Sequence, residues 1–328
     1  MKVLIIGDKT RTEKYLPDLP VVRESEWVVA ERGSSDEQLL SSAADADVIF
    51  ADAISPVSAQ LIAGMPNLKM IHSEGVAFDA IDVDAARSRG IYVCNNKGAN
   101  AVAVAEQTMM LMLGICKFGR VGDVAVRAGR QIQVKEQLMV SGIGEVAGST
   151  VGLIGFGDIA REVAKRCQAF GARVLYNKRT PLDAAAEREL GVAYAPLDSL
   201  LGQSDFVSIH CPVTSATQGM CDDGFFAKMK PGAYLINTAR GQIVDNDACV
   251  RAIKSGRLAG AAFDTVAPEP VMPDNPLLQL EGADADKVLF APHIGGVTSN
   301  MFKRAHRFMW ENVARIAAGE TPLNVVKG

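Results

Sequence analysis

Short apolar, β-branched runs recur along the chain, separated by longer stretches in which apolar and polar residues mix at helical spacing. In the first hundred residues the runs are KVLII (2–6), DVIFA (47–51), LKMIH (68–72) and IYVCN (91–95). A second series follows: TVGLIGF (150–156), ARVLYN (172–177), FVSIHC (206–211), AYLINTA (233–239), GAAFDTV (260–266) and VLFAPHI (288–294). Unbroken apolar runs belong to strands buried on both faces, and the helices between them supply the cover. The pattern predicts α/β architecture with doubly wound parallel sheets. The segment 101–116 reads as a buried helix with Asn100 as its N-cap. It is shorter than the ~20 residues of a membrane span and carries Glu106 and Gln107. The apolar run at the N-terminus ends at Ile6 and is a strand, too short for a signal peptide.

At 328 residues the chain exceeds one ordinary core, so two domains are expected. The second series is longer and opens with a glycine-rich turn. Residues 100–296 are therefore assigned to a dinucleotide-binding domain, and 1–99 plus 297–328 to a smaller, discontinuous substrate-binding domain. Net charge is −4, which argues against nucleic acid or a membrane surface as partner. The six cysteines (94, 116, 167, 211, 221 and 249) form no CxxC pair, and the four histidines are not spaced with them as metal ligands. No metal is expected, and reduced thiols imply a cytoplasmic location. Cys94 and Cys211, at strand ends, read as small buried hydrophobes.

The run 150–156 leads through Gly155-Phe156-Gly157-Asp158-Ile159-Ala160 into a helical stretch. This is a GxGxxA turn between strand and helix, the Rossmann arrangement. The first glycine permits the tight turn, the second admits a pyrophosphate to the backbone, and Ala160 lets helix and strand pack closely. An NAD site ordinarily places Asp or Glu about 20 residues further on, to hold the ribose diol. Here the next strand ends Asn177-Lys178-Arg179-Thr180, without an acid. Two cations and a hydroxyl suit a 2′-phosphate, so NADP is expected in preference to NAD. Otherwise Lys178 and Arg179 are solvated surface charges.

Three motifs close successive strands of the same domain: Asn237-Thr238-Ala239-Arg240-Gly241, then Phe263-Asp264-Thr265 with Pro268-Glu269-Pro270, then Pro292-His293-Ile294-Gly295-Gly296. The carboxyl ends of parallel strands line the ligand crevice. Arg240 is equipped to bind a substrate carboxylate as a fork, His293 to exchange a proton with a carbonyl oxygen, and Glu269 to orient the imidazole and favour its charged form. Taken singly, Arg240 reads as a structural ion pair, Glu269 as a helix cap and His293 as a satisfied histidine. Asp264 is either structural or a modulator of the site. His72 and His306 carry no motif and read as structural or exposed.

The segments VGLIGFGDIA, SIHCPVTSAT (208–217), NTARGQIVD, FDTVAPEP and APHIGG resemble those of the D-isomer-specific 2-hydroxyacid dehydrogenases, across nearly the whole chain. The resemblance implies Arg240, Glu269 and His293 as catalytic residues, a flavodoxin-like substrate domain, a cleft between the domains, and a homodimer built through the dinucleotide domain. It also implies that His210, Cys211, Pro212, Thr217, Thr238, Ala239, Asp264 and Gly295 lie near the cofactor, with Arg240 and His293. The loop Ser73-Glu74-Gly75-Val76-Ala77-Phe78-Asp79 is similar to the family's substrate-carboxylate loop, which makes the backbone of Val76 and Ala77 the carboxylate contacts beside Arg240 and His293. Phosphoglycerate enzymes of the family often have an arginine where Ser73 stands, so a phosphorylated substrate is not expected. Ala77 and Phe78 replace a common glycine and a common aliphatic, which alters the pocket wall. Gln131 stands where many relatives have a tryptophan, which in some reaches a neighbouring subunit's pocket, so that contact is not expected here. Lys97, where relatives often have proline, is a solvated hinge lysine or the partner of a second negative group. Only ETPLNVVKG follows the closing helix, so a regulatory domain is not expected.

The expected reaction is reduction of a small 2-keto acid, of the glyoxylate or hydroxypyruvate kind, to a D-2-hydroxy acid. The alternatives are an NAD-linked phosphoglycerate or D-lactate type dehydrogenase and, in another class, a cofactor-sensing corepressor-like scaffold.

Overall fold

Twelve strands form two wholly parallel sheets in the computed structural model, which describes residues 1–52 and 54–326. The chain divides into two units, Met1–Asn100 with Val297–Gly328, and Ala101–Gly296. The first holds β1 (Lys2–Ile6), β2 (Glu26–Ala30), β3 (Val48–Ala51), β4 (Met70–Ser73) and β5 (Tyr92–Cys94), in the order β2-β1-β3-β4-β5. Alternate residues feed two cores: Leu4, Ile49 and Ile71 on one face, Val3, Val48, Phe50 and Met70 on the other. Both faces are covered, which is why these strands read as unbroken apolar runs. The helix Ser299–Ala317 returns to this unit, capped by Thr298, and buries Met309, Trp310 and Val313 against Val3 and Phe50.

The second unit holds β6 (Thr150–Ile154), β7 (Arg173–Asn177), β8 (Val192–Tyr194), β9 (Phe206–Ile209), β10 (Ala233–Asn237), β11 (Leu258–Phe263) and β12 (Val288–Phe290). Their order is β12-β11-β10-β9-β6-β7-β8. The chain starts at β6 and winds both ways from it, so the switch point lies between β6 and β9. The helices Ala101–Cys116 and Asp158–Ala169 pack on one face of the sheet.

The expected runs omit two strands, β2 and β8, whose sequences EWVVA and VAY are short apolar stretches. Both are edge strands, β2 with no fully buried residue and β8 only three residues long with two exposed. The expected runs also overshoot: the strands stop at Ile154, Ile209, Asn237, Phe263 and Phe290. The residues beyond them leave the sheet as loops, and these loops carry the motifs.

Candidate active site

The turn after β6 is shaped by steric necessity. Gly155 has φ +89, and a Cβ there would stand 2.6 Å from the carbonyl carbon of His210. Strand ends β6 and β9 thus touch backbone to backbone at the switch point, which only glycine permits. Gly157 caps the helix Asp158–Ala169, and a Cβ there would meet nothing within 4 Å. Open space before a helix N-terminus is where a pyrophosphate can approach bare N–H groups. Ala160 is fully buried between helix and sheet. The turn therefore fits a dinucleotide. Phe156 is a core side chain, its ring 4.5 Å from that of Tyr176, so only its backbone is open to a ligand. Asp158 is exposed and Ile159 half-buried in the core.

At the end of β7, Asn177 donates from Nδ2 to Ala195 O (2.9 Å), while its own carbonyl accepts from Gly155 N (2.8 Å). Arg179 and Thr180 are exposed, and neither Lys178 nor Arg179 has an acidic partner among the described residues. At the end of β9, His210 lies 2.9 Å from Ser208 Oγ, and burial pushes its pKa down to about 4, so the ring is neutral. Thr217 Oγ1 donates to Pro212 O (2.7 Å) and accepts from Thr214 N (2.8 Å), closing the loop that follows. Burial raises the Cys211 thiol above its ordinary range, which disfavours the nucleophilic thiolate.

Three adjacent strands, β10, β11 and β12, bring the remaining motifs to one edge of the sheet. Asn237, fully buried, accepts from Ala239 N and donates to Arg240 O, both at 3.0 Å, and so shapes the turn that presents Arg240. Arg240 is exposed and has no acidic partner among the described residues; its Nη1 donates to Ala239 O. A Cβ on Gly241 would fall 2.2 Å from Ala267 N, so this turn sits directly against the segment leading to Glu269. Asn246 and Asn275 both donate to Ala267 O and hold that segment. Glu269 Oε1 lies 2.5 Å from His293 Nδ1, in a half-exposed pair. Glu269 caps no helix. His293 has φ 56, a left-handed conformation uncommon for a residue with a side chain. Thr238 is buried, its hydroxyl 3.0 Å from that of Thr108.

Asp264 explains how His293 is held. Its buried carboxylate accepts from Ile294 N (3.0 Å) and Gly295 N (2.8 Å), the two residues after the histidine. Gln107 Nε2 donates to the same carboxylate at 3.3 Å. Sequence reasoning noted Gln107 only as a polar residue in a buried helix. That mismatch was the available signal for a residue serving a site.

In the other unit, Ser73 ends β4 and is buried; its Oγ donates to Ala77 O (2.6 Å) and accepts from Gly75 N (3.2 Å). Asn95 Nδ2 donates to Val76 O (2.7 Å) and Asn96 N to Gly75 O (2.8 Å). The loop's carbonyls are tied inward, and Val76 is exposed. Phe78 is half-buried and packs against the core of this unit. Lys97 is exposed, its N–H bonded to Asn95 Oδ1. His72 and His306 are both buried, which corrects the option of exposure.

A family model described as the NAD-binding domain of D-isomer specific 2-hydroxyacid dehydrogenases matches residues 109–295. The glyoxylate reductase of Korarchaeum cryptofilum is 35% identical over 292 residues, covering 89% of this chain and 86% of that protein. A D-3-phosphoglycerate dehydrogenase of Archaeoglobus fulgidus is 37% identical over 91% of this chain, which spans 55% of that longer protein. Among solved structures, the D-mandelate dehydrogenase of Rhodotorula graminis superposes with a TM-score of 0.85 at 27% identity, covering 100% of this chain and 97% of that one.

Proposed function

The chain belongs to the D-isomer specific 2-hydroxyacid dehydrogenase family, and on that premise we propose that it reduces a small, unphosphorylated 2-keto acid of the glyoxylate or hydroxypyruvate kind with NADPH. The observation that carries the reading is the bond between His293 and Glu269, at the same sheet edge as an Arg240 free of acidic partners. The Arg240 fork is suited to hold a substrate carboxylate, and in the smaller unit the loop at Val76 and Ala77 offers N–H groups, free among the described residues, to the same kind of ligand. Glu269 holds Nδ1 of His293, which leaves Nε2 to give its proton to the keto oxygen. The turn at Gly155–Gly157 would hold the pyrophosphate of a dinucleotide, whose reduced nicotinamide would supply the hydride for the carbonyl carbon. His293, left neutral, regains a proton through its solvent-exposed side. Oxidation of the hydroxy acid reverses these roles.

Asn177 in place of an acid, followed by the unpaired Lys178 and Arg179 and by Thr180, supports NADP over NAD. The glyoxylate reductase relatives and the buried Ser73, where an arginine would meet a phosphate, support the substrate class. The reading extends to the assembly. The helices Gly119–Arg127 and Gln131–Ser141 leave an apolar groove of about 350 Å³ lined by Ala125, Val126, Val134, Leu138, Met139 and Ile143. An exposed apolar face of this kind supports a homodimer through this unit. Gln131 starts the second of those helices and borders the groove. Six free cysteines, five of them buried, support a reducing, cytoplasmic setting.

A kinetic panel tests the reading: glyoxylate, hydroxypyruvate, pyruvate, phenylpyruvate and 3-phosphohydroxypyruvate, each with NADH and NADPH. The highest kcat/KM is expected for glyoxylate or hydroxypyruvate, with NADPH ahead by about tenfold or more, as befits recognition of one phosphate by two cations. Preference for NADH with the phosphorylated acid would point to a phosphoglycerate-type enzyme. Cofactor binding without turnover of any keto acid would favour the scaffold reading.

A further inference from the structure

In the smaller unit the strand order reverses between β1 and β3, and the crevice beyond their carboxyl ends is where a doubly wound sheet ordinarily receives a ligand. Here side chains fill it. Arg11, on the helix Lys9–Tyr15 that follows β1, reaches across the strand ends. Its Nη2 donates to Asp52 Oδ2 (2.8 Å), just past β3, and to Glu74 Oε2 (2.6 Å), just past β4. Arg32, beyond β2, pairs with Asp52 as well. The second Glu74 oxygen, Oε1, lies 2.7 Å from His306 Nε2, on the helix Ser299–Ala317. About 10 Å³ of space remains, room for no more than a water molecule.

Filling a crevice does not call for charge. Buried ion pairs are weak contributors to stability, and apolar residues of similar volume would serve as well or better. What an ion pair does provide is direction, because the partners must meet at defined atoms. Glu74 is the residue through which this cluster meets the loop at 73–79. The loop's inner side is tied by Ser73, Asn95 and Asn96. Its entry is tied by the Glu74 carboxylate, gripped from two sides by Arg11 and His306. Gly75, Val76 and Ala77 follow directly, and among the described residues neither Val76 N nor Ala77 N donates within the chain.

We propose that Glu74 is a positioning residue for keto-acid reduction: Arg11 and His306 clamp its carboxylate, and the clamp aims the Val76 and Ala77 N–H groups at the substrate carboxylate. The inference rests on the keto-acid reductase reading and deepens it. It makes Glu74, and with it His306, which no motif marks, determinants of substrate affinity while leaving hydride and proton transfer to other residues.

The test compares Glu74→Gln, His306→Ala and His306→Gln with the wild-type enzyme, using glyoxylate as substrate and oxalate as a dead-end carboxylate probe. Glu74→Gln removes the charge and keeps the shape; it is expected to raise KM about tenfold, the size of one charge-assisted hydrogen bond weakened. The Ki of oxalate should rise in step, with kcat within about twofold and the Kd for NADPH unchanged. His306→Ala should act in the same direction, and His306→Gln, whose amide N–H can reach Glu74, should restore KM to within about threefold of wild type. If Glu74→Gln does not fold, the two His306 variants carry the comparison. An unmoved KM in an active, folded variant would overturn the inference, as would losses of kcat, NADPH affinity and melting temperature that track one another. A wild-type enzyme inactive on every keto acid would remove the premise and the inference with it. An active one with unmoved KM removes the inference alone.

Discussion

Asp264 was open to two readings from its surroundings in the chain: a structural acid or a modulator of the site. Three donors converge on its carboxylate, and two of them are the N–H groups that follow His293. It acts through the backbone, holding the histidine in a left-handed conformation that costs on the order of 1–3 kcal/mol to maintain. His72 shows the opposite case, a titratable side chain with no exposure at all. Its Nδ1 bonds to Ser73 O and its Nε2 has no partner, so only the neutral ring is accommodated. Burial lowers its pKa from 6.5 to about 4. Between those two values the unfolded chain binds a proton that the folded chain refuses. The contribution of His72 is therefore complete above about pH 6.5, is lost as pH falls toward 4, and amounts to on the order of 3 kcal/mol. Urea unfolding across that range should show the decline, and His72→Asn, which keeps a donor for Ser73 O, should flatten it. An unchanged decline in the variant would assign it to other groups.

The element that determines most about the larger unit is the turn from β6 into the helix Asp158–Ala169. The approach of Gly155 to the His210 backbone leaves no room for a Cβ, and its φ of +89 disfavours one independently. Gly155→Ala should cost about 3 kcal/mol or more in urea unfolding, through clash and strain together. It should also abolish measurable NADPH binding by fluorescence titration. Normal affinity in the variant would mean that β6 and β9 need not touch for the cofactor to bind. Elements of this kind were legible because their signal is local: a glycine pattern between an apolar run and a helix. Edge strands β2 and β8 were not, because apolar runs as short as WVVA and VAY do not by periodicity alone distinguish a strand from a piece of helix.

On the scale of the whole molecule, the face formed by Gly119–Arg127 and Gln131–Ser141 is the part that folding leaves unfinished. The second of these helices buries none of its residues, and Met139 and Val140 are 74% and 90% exposed. A helix that presents apolar residues outward and buries none of its own is the face on which the proposed dimer would form. Met139→Glu combined with Val140→Glu should convert the proposed dimer to a monomer in light scattering, because a charge buried without a partner costs several kcal/mol. A wild-type protein that runs as a monomer at micromolar concentration would dispose of the assembly.

Sequence alone determined what depends on near neighbours. The positions of the buried strands, the glycine turn, the missing acid at Asn177 and the Arg240, Glu269 and His293 motifs each sit within a few residues of the signal that reveals them. Tertiary structure decided which side chains meet across long separations. Gln107 and Asp264 are 157 residues apart, and Glu74 and His306 are 232 apart. No periodicity or spacing reports such pairs, because a buried hydrogen bond is chosen by geometry: a donor and an acceptor brought into hydrogen-bond range by strands and helices that pack for other reasons.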